Sequence, residues 1–255
     1  MPIVLLVRHG RTAANASGLL AGWTAGVELD AEGVRQAEGT GARIAALGHP
    51  IARVVSSPLR RCVQTAAVIA AACGPSPPGP GVETDERLGE CRYGAWTGRA
   101  LAELAGEDLW RVVQDQPSAA RFPDGADFPG ESIAAMQARA LDVIRSVDVE
   151  VAAAHGPHAL WVAVSHGDVI KSVLADAAGA HLDAFQRMHV DPASVSVVRY
   201  TARRPFVLKV NHTGGDLLGI IPAPHPAPSP DAAGEAVGDL DGDAAVGGGA
   251  GPAPG

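Results

Sequence analysis

The chain has 255 residues, 47% of them hydrophobic, with 28 acidic against 20 basic residues and a formal charge of −8. That length buries a large core in one or two domains, and the acidic balance disfavours non-specific binding to nucleic acid. No run reaches the roughly 18 apolar residues of a membrane helix, and the run at 3–7 is too short for a signal peptide, so a cytoplasmic protein is expected.

The first element is "IVLLVRHG", five aliphatic residues that end on Arg8, His9 and Gly10. An unbroken apolar run of this kind reads as a strand buried on both faces. A helix over 31–47 follows, with Asp30 as its N-cap and three internal glycines that weaken it. Residues 52–55 read as a second strand, and "SSPLRRCVQTAAVIA" as a turn into a helix over 58–72. There Ser57 suits the N-cap and Pro58 the first helical position. "DERLGECRYGAWTG", 85–98, reads as a glycine-flanked loop carrying Glu90. A helix over 131–154 leads to a strand at 159–164, a helix at 168–178 and strands at 195–200 and 206–210. Alternation of strands and helices predicts a three-layer α/β/α sandwich around a mostly parallel sheet.

Residues 222–255 belong to a different class. They hold 7 Pro, 8 Gly and 9 Ala, with five acids and no Lys or Arg. Such a segment cannot bury enough surface to offset its conformational entropy, which divides the chain into a folded body, 1–221, and a disordered acidic tail, 222–255. "DLDGDA" within it lacks the glycine and the glutamate that a calcium loop needs.

Two strands share an ending. "ALWVAVSHGD" repeats the pattern of the first: an apolar run, a polar residue, then His166 and Gly167. In open α/β sheets ligands bind beyond the carboxyl ends of the strands, so His9 and His166 are expected side by side. Arg60 and Arg61 fall in the first turn of a helix, where the dipole disfavours cations unless an anion neutralises them. Arg8 and an arginine of that turn can clamp a phosphoryl group with paired hydrogen bonds. Tyr93 and Trp96 beside Glu90 can keep its carboxyl dry and raise its pKa, as a general acid requires. Cys62, Cys73 and Cys91 show no disulfide or metal pattern, and no Walker loop or dinucleotide fingerprint is present. No metal or cofactor is expected, because arginines can neutralise the transition-state charge.

These motifs together resemble those of the histidine phosphatase superfamily, the phosphoglycerate-mutase-like proteins. "LVRHGRTAAN" is similar to the first family signature, and "SSPLRRCVQTA" to the second with Cys62 in place of alanine. "LGECRYGAWTG" and "VSHGDVI" resemble the third and fourth, and "FPGES" the mid-chain Gly-Glu-Ser. The resemblance spans about residues 1–212 and implies a phosphoglycerate-mutase-like fold. It implies His9 as the nucleophile, Glu90 as the proton donor, and Arg8, Arg61 and His166 as the phosphoryl clamp. Asn15 and Gly167 would lie against the bound group, and the alignment favours Arg61 over Arg60. The other histidines, His49, His155, His158, His181, His189, His212 and His225, are read as structural or solvated.

A phosphomonoester hydrolase acting on a small phosphorylated metabolite is the first expectation. Mutases of the family carry an insert between the acid and the second histidine, and arginine directly after the acid. Here only 76 residues separate Glu90 from His166, and Cys91 follows the acid with Arg92 one later. A mutase is the alternative; a catalytically silent phosphate-binding domain is a third reading. Specificity is expected from residues 91–130, with Trp110, Arg111 and Arg121, and from residues 19–23. Neither nucleic acid nor membrane is an expected partner, and a homo-oligomer stays open.

Overall fold

A computed structural model describes residues 2–74 and 81–215, so the tail at 222–255 lies outside the described residues. In chain order the elements are β1 (Ile3–Arg8), α1 (Ala13–Ala16), α2 (Ala31–Ala45), β2 (Ile51–Ser56), α3 (Arg60–Ala72) and β3 (Val82–Thr84). They continue with α4 (Leu101–Leu104), α5 (Asp108–Asp115), α6 (Ile133–His155), β4 (Leu160–Ser165), α7 (Gly167–Ala177), β5 (Val195–Tyr200) and β6 (Pro205–His212). Among the described residues, no helix is long and apolar enough to cross a membrane.

The strands form one sheet in the order β3-β2-β4-β1-β5-β6. β1, β2, β3 and β4 run parallel; β5 is antiparallel to β1, and β6 to β5. The expected mostly parallel three-layer sandwich is what the chain forms. The unbroken apolar runs now have their physical reason. In β1, Val4 and Leu6 pack into one hydrophobic cluster with Ile144 of α6 and Val173 of α7, while Leu5 and Val7 pack into another with Ile44 of α2 and Ile69 of α3. β4 divides the same way, Trp161 and Ala163 to the first side and Val162 and Val164 to the second. Both central strands are buried on both faces, so neither has a polar face to alternate.

Two expected helix starts are corrected. The second helix begins at Arg60, not at 58, with Leu59 as an N-cap that makes no side-chain cap bond. Ser57 is drawn away from the cap because its hydroxyl meets His166 Nε2 at 2.8 Å. The long helix begins at Ile133 because Ser132 caps it, accepting from Ala135 N at 3.1 Å. Asp30 caps α2 as expected, accepting from Gly33 N at 2.7 Å.

α2 presses its first turn onto the loop that follows β1. A Cβ on Gly33 would stand 2.0 Å from the Arg11 carbonyl oxygen, and one on Gly10 2.4 Å from the Gly33 carbonyl oxygen. Backbone meets backbone there, so no side chain can move aside. Gly33→Ala should therefore cost about 1–3 kcal/mol and shift the loop that carries His9. Gly39→Ala, in the same helix, would meet nothing nearer than the Arg43 side chain at 3.7 Å, and should gain up to about 1 kcal/mol of helix propensity. Thermal melting of the two variants checks the opposite signs.

Candidate active site

The order β2-β4-β1 brings three carboxyl ends together. Backbone bonds lace them: His9 N donates to Ser165 O at 3.0 Å, and Ser57 N to Val164 O at 2.9 Å. Arg8 and His9 end β1, His166 caps α7 after β4, and Arg61 lies in the first turn of α3 after β2. The imidazoles of His9 and His166 meet edge to face, with centroids 5.2 Å apart. Arg8, His9, Asn15, Arg61, Glu90 and Gly167 all line one cavity of about 270 Å³. His166 sits directly behind it, fully buried.

His9 has a defined tautomer. Its Nδ1 lies 2.7 Å from the Gly10 carbonyl oxygen, an acceptor only, so Nδ1 carries the hydrogen. Nε2 then holds the lone pair and accepts from Arg61 Nε at 3.3 Å. Burial, followed by the charges of Arg61 and Arg8, holds His9 well below the usual histidine pKa. His166 is lowered by burial and by Arg61. Its Nδ1 faces Arg61 Nη2 at 3.2 Å, which leaves Nε2–H to donate to Ser57 Oγ. Both rings are neutral and directional.

The two arginines are held from behind. Arg61 is only 2% exposed and donates to Gly22 O at 2.9 Å. Arg60 points outward into an exposed ion pair with Glu28, so it is the solvated member of the pair. Arg8 donates through Nη1 to Val190 O at 2.7 Å, while its buried Nε has no hydrogen-bond partner among the described residues. Gly167 lies against that guanidinium: a Cβ there would be 3.5 Å from Nε. α7 starts at Gly167, so its N-terminal dipole faces the same spot. Asn15 forms a capping box with Thr12, engaging its Oδ1 and leaving its NH₂ for a ligand.

Glu90 sits opposite the histidines, 9% exposed, with Oε2 3.7 Å from His166 Nδ1. Burial, and then the negative charge of Asp168, push its pKa up to about 7. Asp168 itself stays ionised. Burial would raise it, but Lys171 and the Tyr93 hydroxyl, 3.0 and 2.8 Å away, hold it below the usual carboxylate range. The site thus pairs a neutral imidazole with a carboxylic acid across a cationic cradle. That arrangement can accept a phosphoryl group on nitrogen and protonate its leaving oxygen.

Some contributors carry no motif. Arg139 of α6 donates to the carbonyls of Arg87 and Gly89, both at 2.7 Å, and of Glu90 at 2.9 Å. Glu131, of the Gly-Glu-Ser stretch, bridges Arg139 and the Arg92 amide, at 2.5 and 2.8 Å. Trp23 Nε1 also donates to Glu90 O. These bonds aim the loop, and only Glu131 had a sequence signal. Cys62 lies 3.4 Å from His166 Nε2 with its thiol pushed up to about 12 by burial, so it stays uncharged. Trp110 and residues 19–22 line the cavity as expected; Arg111, Arg121 and Trp23 do not, and Lys171 and Gln186 do. Of the remaining histidines in the described residues, none lines it.

A profile of the Histidine phosphatase superfamily (branch 1) matches residues 4–213. A probable phosphoglycerate mutase GpmB of Proteus mirabilis is 33% identical over 198 residues, 77% of this chain and 84% of its own. One from Erwinia tasmaniensis is 31% identical over 218 residues, 84% of this chain and 93% of its own. Among solved structures, phosphoserine phosphatase of Entamoeba histolytica in complex with 3-phosphoglyceric acid superposes with a TM-score of 0.69 at 23% identity, covering 84% of this chain and 98% of that one. Mycobacterial glucosyl-3-phosphoglycerate phosphatase, complexed with VO3, gives a TM-score of 0.68 at 23% identity and covers 82% and 98%. At those identities the solved structures establish a shared phosphoglycerate-mutase-like fold. With the profile running nearly the length of the described body, and relatives above 30% identity covering most of the chain, this protein belongs to the histidine phosphatase superfamily, branch 1, a family of phosphoryl-transfer enzymes.

Proposed function

We propose that this protein hydrolyses small phosphomonoesters through a phosphohistidine on His9. The observation that carries the reading is the His9 tautomer, with Nδ1 fixed on the Gly10 carbonyl and Nε2 left as a lone pair beside Arg61. Arg8 and Arg61 would hold the phosphoryl oxygens, joined by the Asn15 NH₂ and the Gly167 amide, and by His166 once its one N–H is exchanged from Ser57 to the phosphoryl group. His9 Nε2 attacks phosphorus, the bond to the alcohol oxygen breaks, and Glu90 gives that oxygen its proton. The Nδ1–H bond to Gly10 then stabilises the charge gained by the ring. In the second half the Glu90 carboxylate takes a proton from water, whose oxygen attacks phosphorus. The N–P bond breaks and inorganic phosphate leaves. The phosphatases among the structural neighbours support this reading.

A mutase is the second reading, favoured by the names of the relatives in Proteus and Erwinia. Two features of the chain weigh against it. Cys91, directly after the acid, is buried, and Arg92 turns onto the Trp23 ring at 4.3 Å and does not line the cavity. The cover between Glu90 and α6 is built of short helical pieces, the longest of them α5 with eight residues, which leaves little material to shield a phosphohistidine from water. The fate of the intermediate decides. With 3-phosphoglycerate and catalytic 2,3-bisphosphoglycerate, in excess EDTA, any phosphoryl group taken up should emerge as inorganic phosphate. Efficient formation of 2-phosphoglycerate with little free phosphate would overturn the hydrolase and establish the mutase.

A further inference from the structure

The cavity has two halves of opposite character. The phosphoryl half holds Arg8, Arg61 and His9, with His166 buried behind them. The outer half is walled by Leu19, Leu20, Leu101, Trp110, Val113 and Phe122. Trp110 stacks on Trp96 at 6.1 Å, and Phe122 meets the Tyr93 and Trp96 rings edge to face at 5.1 and 5.3 Å, so the aromatic floor is fixed. At the mouth Leu19 and Leu101 are 41% and 38% exposed, two of the few large apolar side chains left open to solvent. They are tied into one rim, because Leu19 pairs with Ala100 and Leu101 N donates to Gly18 O at 2.9 Å.

Charge in the outer half is already balanced. Among the described residues, Lys171 is the only Lys or Arg lining the cavity apart from Arg8 and Arg61. Its ammonium donates to Asp168 Oδ1 at 3.0 Å and to Gln186 Oε1 at 2.7 Å, and lies 4.8 Å from the centre of the Phe185 ring. Asp168 beside it is ionised. A carboxylate or second phosphate on the substrate would lose water beside Asp168, while Lys171, the nearby lining cation, is already engaged by that carboxylate. A buried, unpaired anion costs several kcal/mol.

We propose that the substrate is the phosphomonoester of a neutral alcohol with an apolar or aromatic part, and that Asp168 and Trp110 set this preference against anionic substrates such as phosphoglycerate. The assignment rests on the phosphomonoesterase reading for its chemistry. Its selectivity can be measured without turnover.

The full-length protein is titrated calorimetrically with butylphosphonate and with 3-phosphonopropionate, which resemble each other in length and differ by a carboxylate. Butylphosphonate should bind about 10-fold tighter or more, the worth of one unfavourable charge contact of roughly 1.4 kcal/mol. Asp168→Asn removes the neighbouring charge and frees Lys171, so it should tighten 3-phosphonopropionate relative to butylphosphonate by about 10-fold, a ratio that cancels the accompanying shift of Glu90, which faces the phosphonate of both. Trp110→Ala should weaken butylphosphonate several-fold and leave 3-phosphonopropionate nearly unchanged. Equal or tighter binding of 3-phosphonopropionate by the unmodified protein overturns the substrate class, as does an unchanged ratio in both variants. In parallel, butyl phosphate and 3-phosphoglycerate are assayed for hydrolysis. Selective binding with no hydrolysis of either ester would defeat the hydrolase and leave the pocket's selectivity standing; no binding of either phosphonate would defeat both.

Discussion

Replacing His9 by alanine is expected to lower kcat/KM for every phosphomonoester by about 10⁴-fold or more, because nucleophile and clamp act as one unit. The side chain sits where three interactions converge: Nδ1 on the Gly10 carbonyl, Nε2 on Arg61 Nε, and the ring edge on His166. In the proposed reaction alanine removes the group that becomes bonded to phosphorus, and it leaves both arginines and His166 in place. The variant should therefore still bind vanadate or a phosphonate while losing turnover. It should also fail to acquire label from a ³²P-labelled substrate, whereas the unmodified protein should yield a phosphoprotein that is stable to base and lost in acid. The control is the melting temperature. His9 is 3% exposed, so its removal leaves a small cavity and costs a few degrees at most if the fold survives. Turnover within about 10-fold of the unmodified protein would remove His9 from the mechanism.

The two histidine-bearing strands were legible because their signal is physical. A run such as Ile3 to Val7 has no polar face, and only a strand covered on both sides tolerates that. Its abrupt end at Arg8 and His9 then marks the sheet's carboxyl edge, where His166 arrives from the neighbouring strand in matching register: Arg8 pairs with Ser165. Elements of three or four residues escaped. β3, α1 and α4 are too short to show a period, and each exists because a neighbour holds it, β3 by pairing with β2 and α1 by the Thr12–Asn15 capping box. Ser57 was read as a cap because its local sequence suits one, but the tertiary contact with His166 prevails. Arg139 was invisible for a further reason. Beyond Glu131, its partners are backbone carbonyls some 50 residues away, and carbonyls leave no mark in sequence. Asp168 lies within the "VSHGDVI" motif, yet its pairing with Tyr93 and Lys171 depends on how α7 meets the Glu90 loop. The outer half of the cavity is therefore the part of the site that sequence described least.

Glu90→Gln separates acid catalysis from phosphoryl binding, and its effect should depend on the leaving group. A butoxide cannot leave without a proton, so kcat/KM for butyl phosphate should fall by about 10²–10⁴-fold. A nitrophenolate leaves unprotonated, so nitrophenyl phosphate should lose far less. The pH dependence follows from the two shifts. Glu90 is raised to about 7, so its acid form is present below neutrality and is lost as pH rises through about 7. His9 is held well below 6.5, so the neutral nucleophile persists into mildly acidic solution, and the acid limb lies below that value. Hydrolysis of butyl phosphate should therefore be fastest on the acid side of neutrality, with a falling limb near pH 7. Glu90→Gln should lack that limb, so the ratio of variant to unmodified protein, which cancels the ionisation of the substrate itself, should rise as pH increases through about 7. kcat/KM is the quantity to follow, since it reports steps up to phosphoryl transfer and excludes the later step in which Glu90 acts as base. Removing the neighbouring charge provides an internal check: Asp168→Asn takes away the second cause of the raised pKa, so the falling limb should move to lower pH. A Glu90→Gln variant that slows nitrophenyl phosphate as severely as butyl phosphate would show that Glu90 supports binding and does not supply the proton.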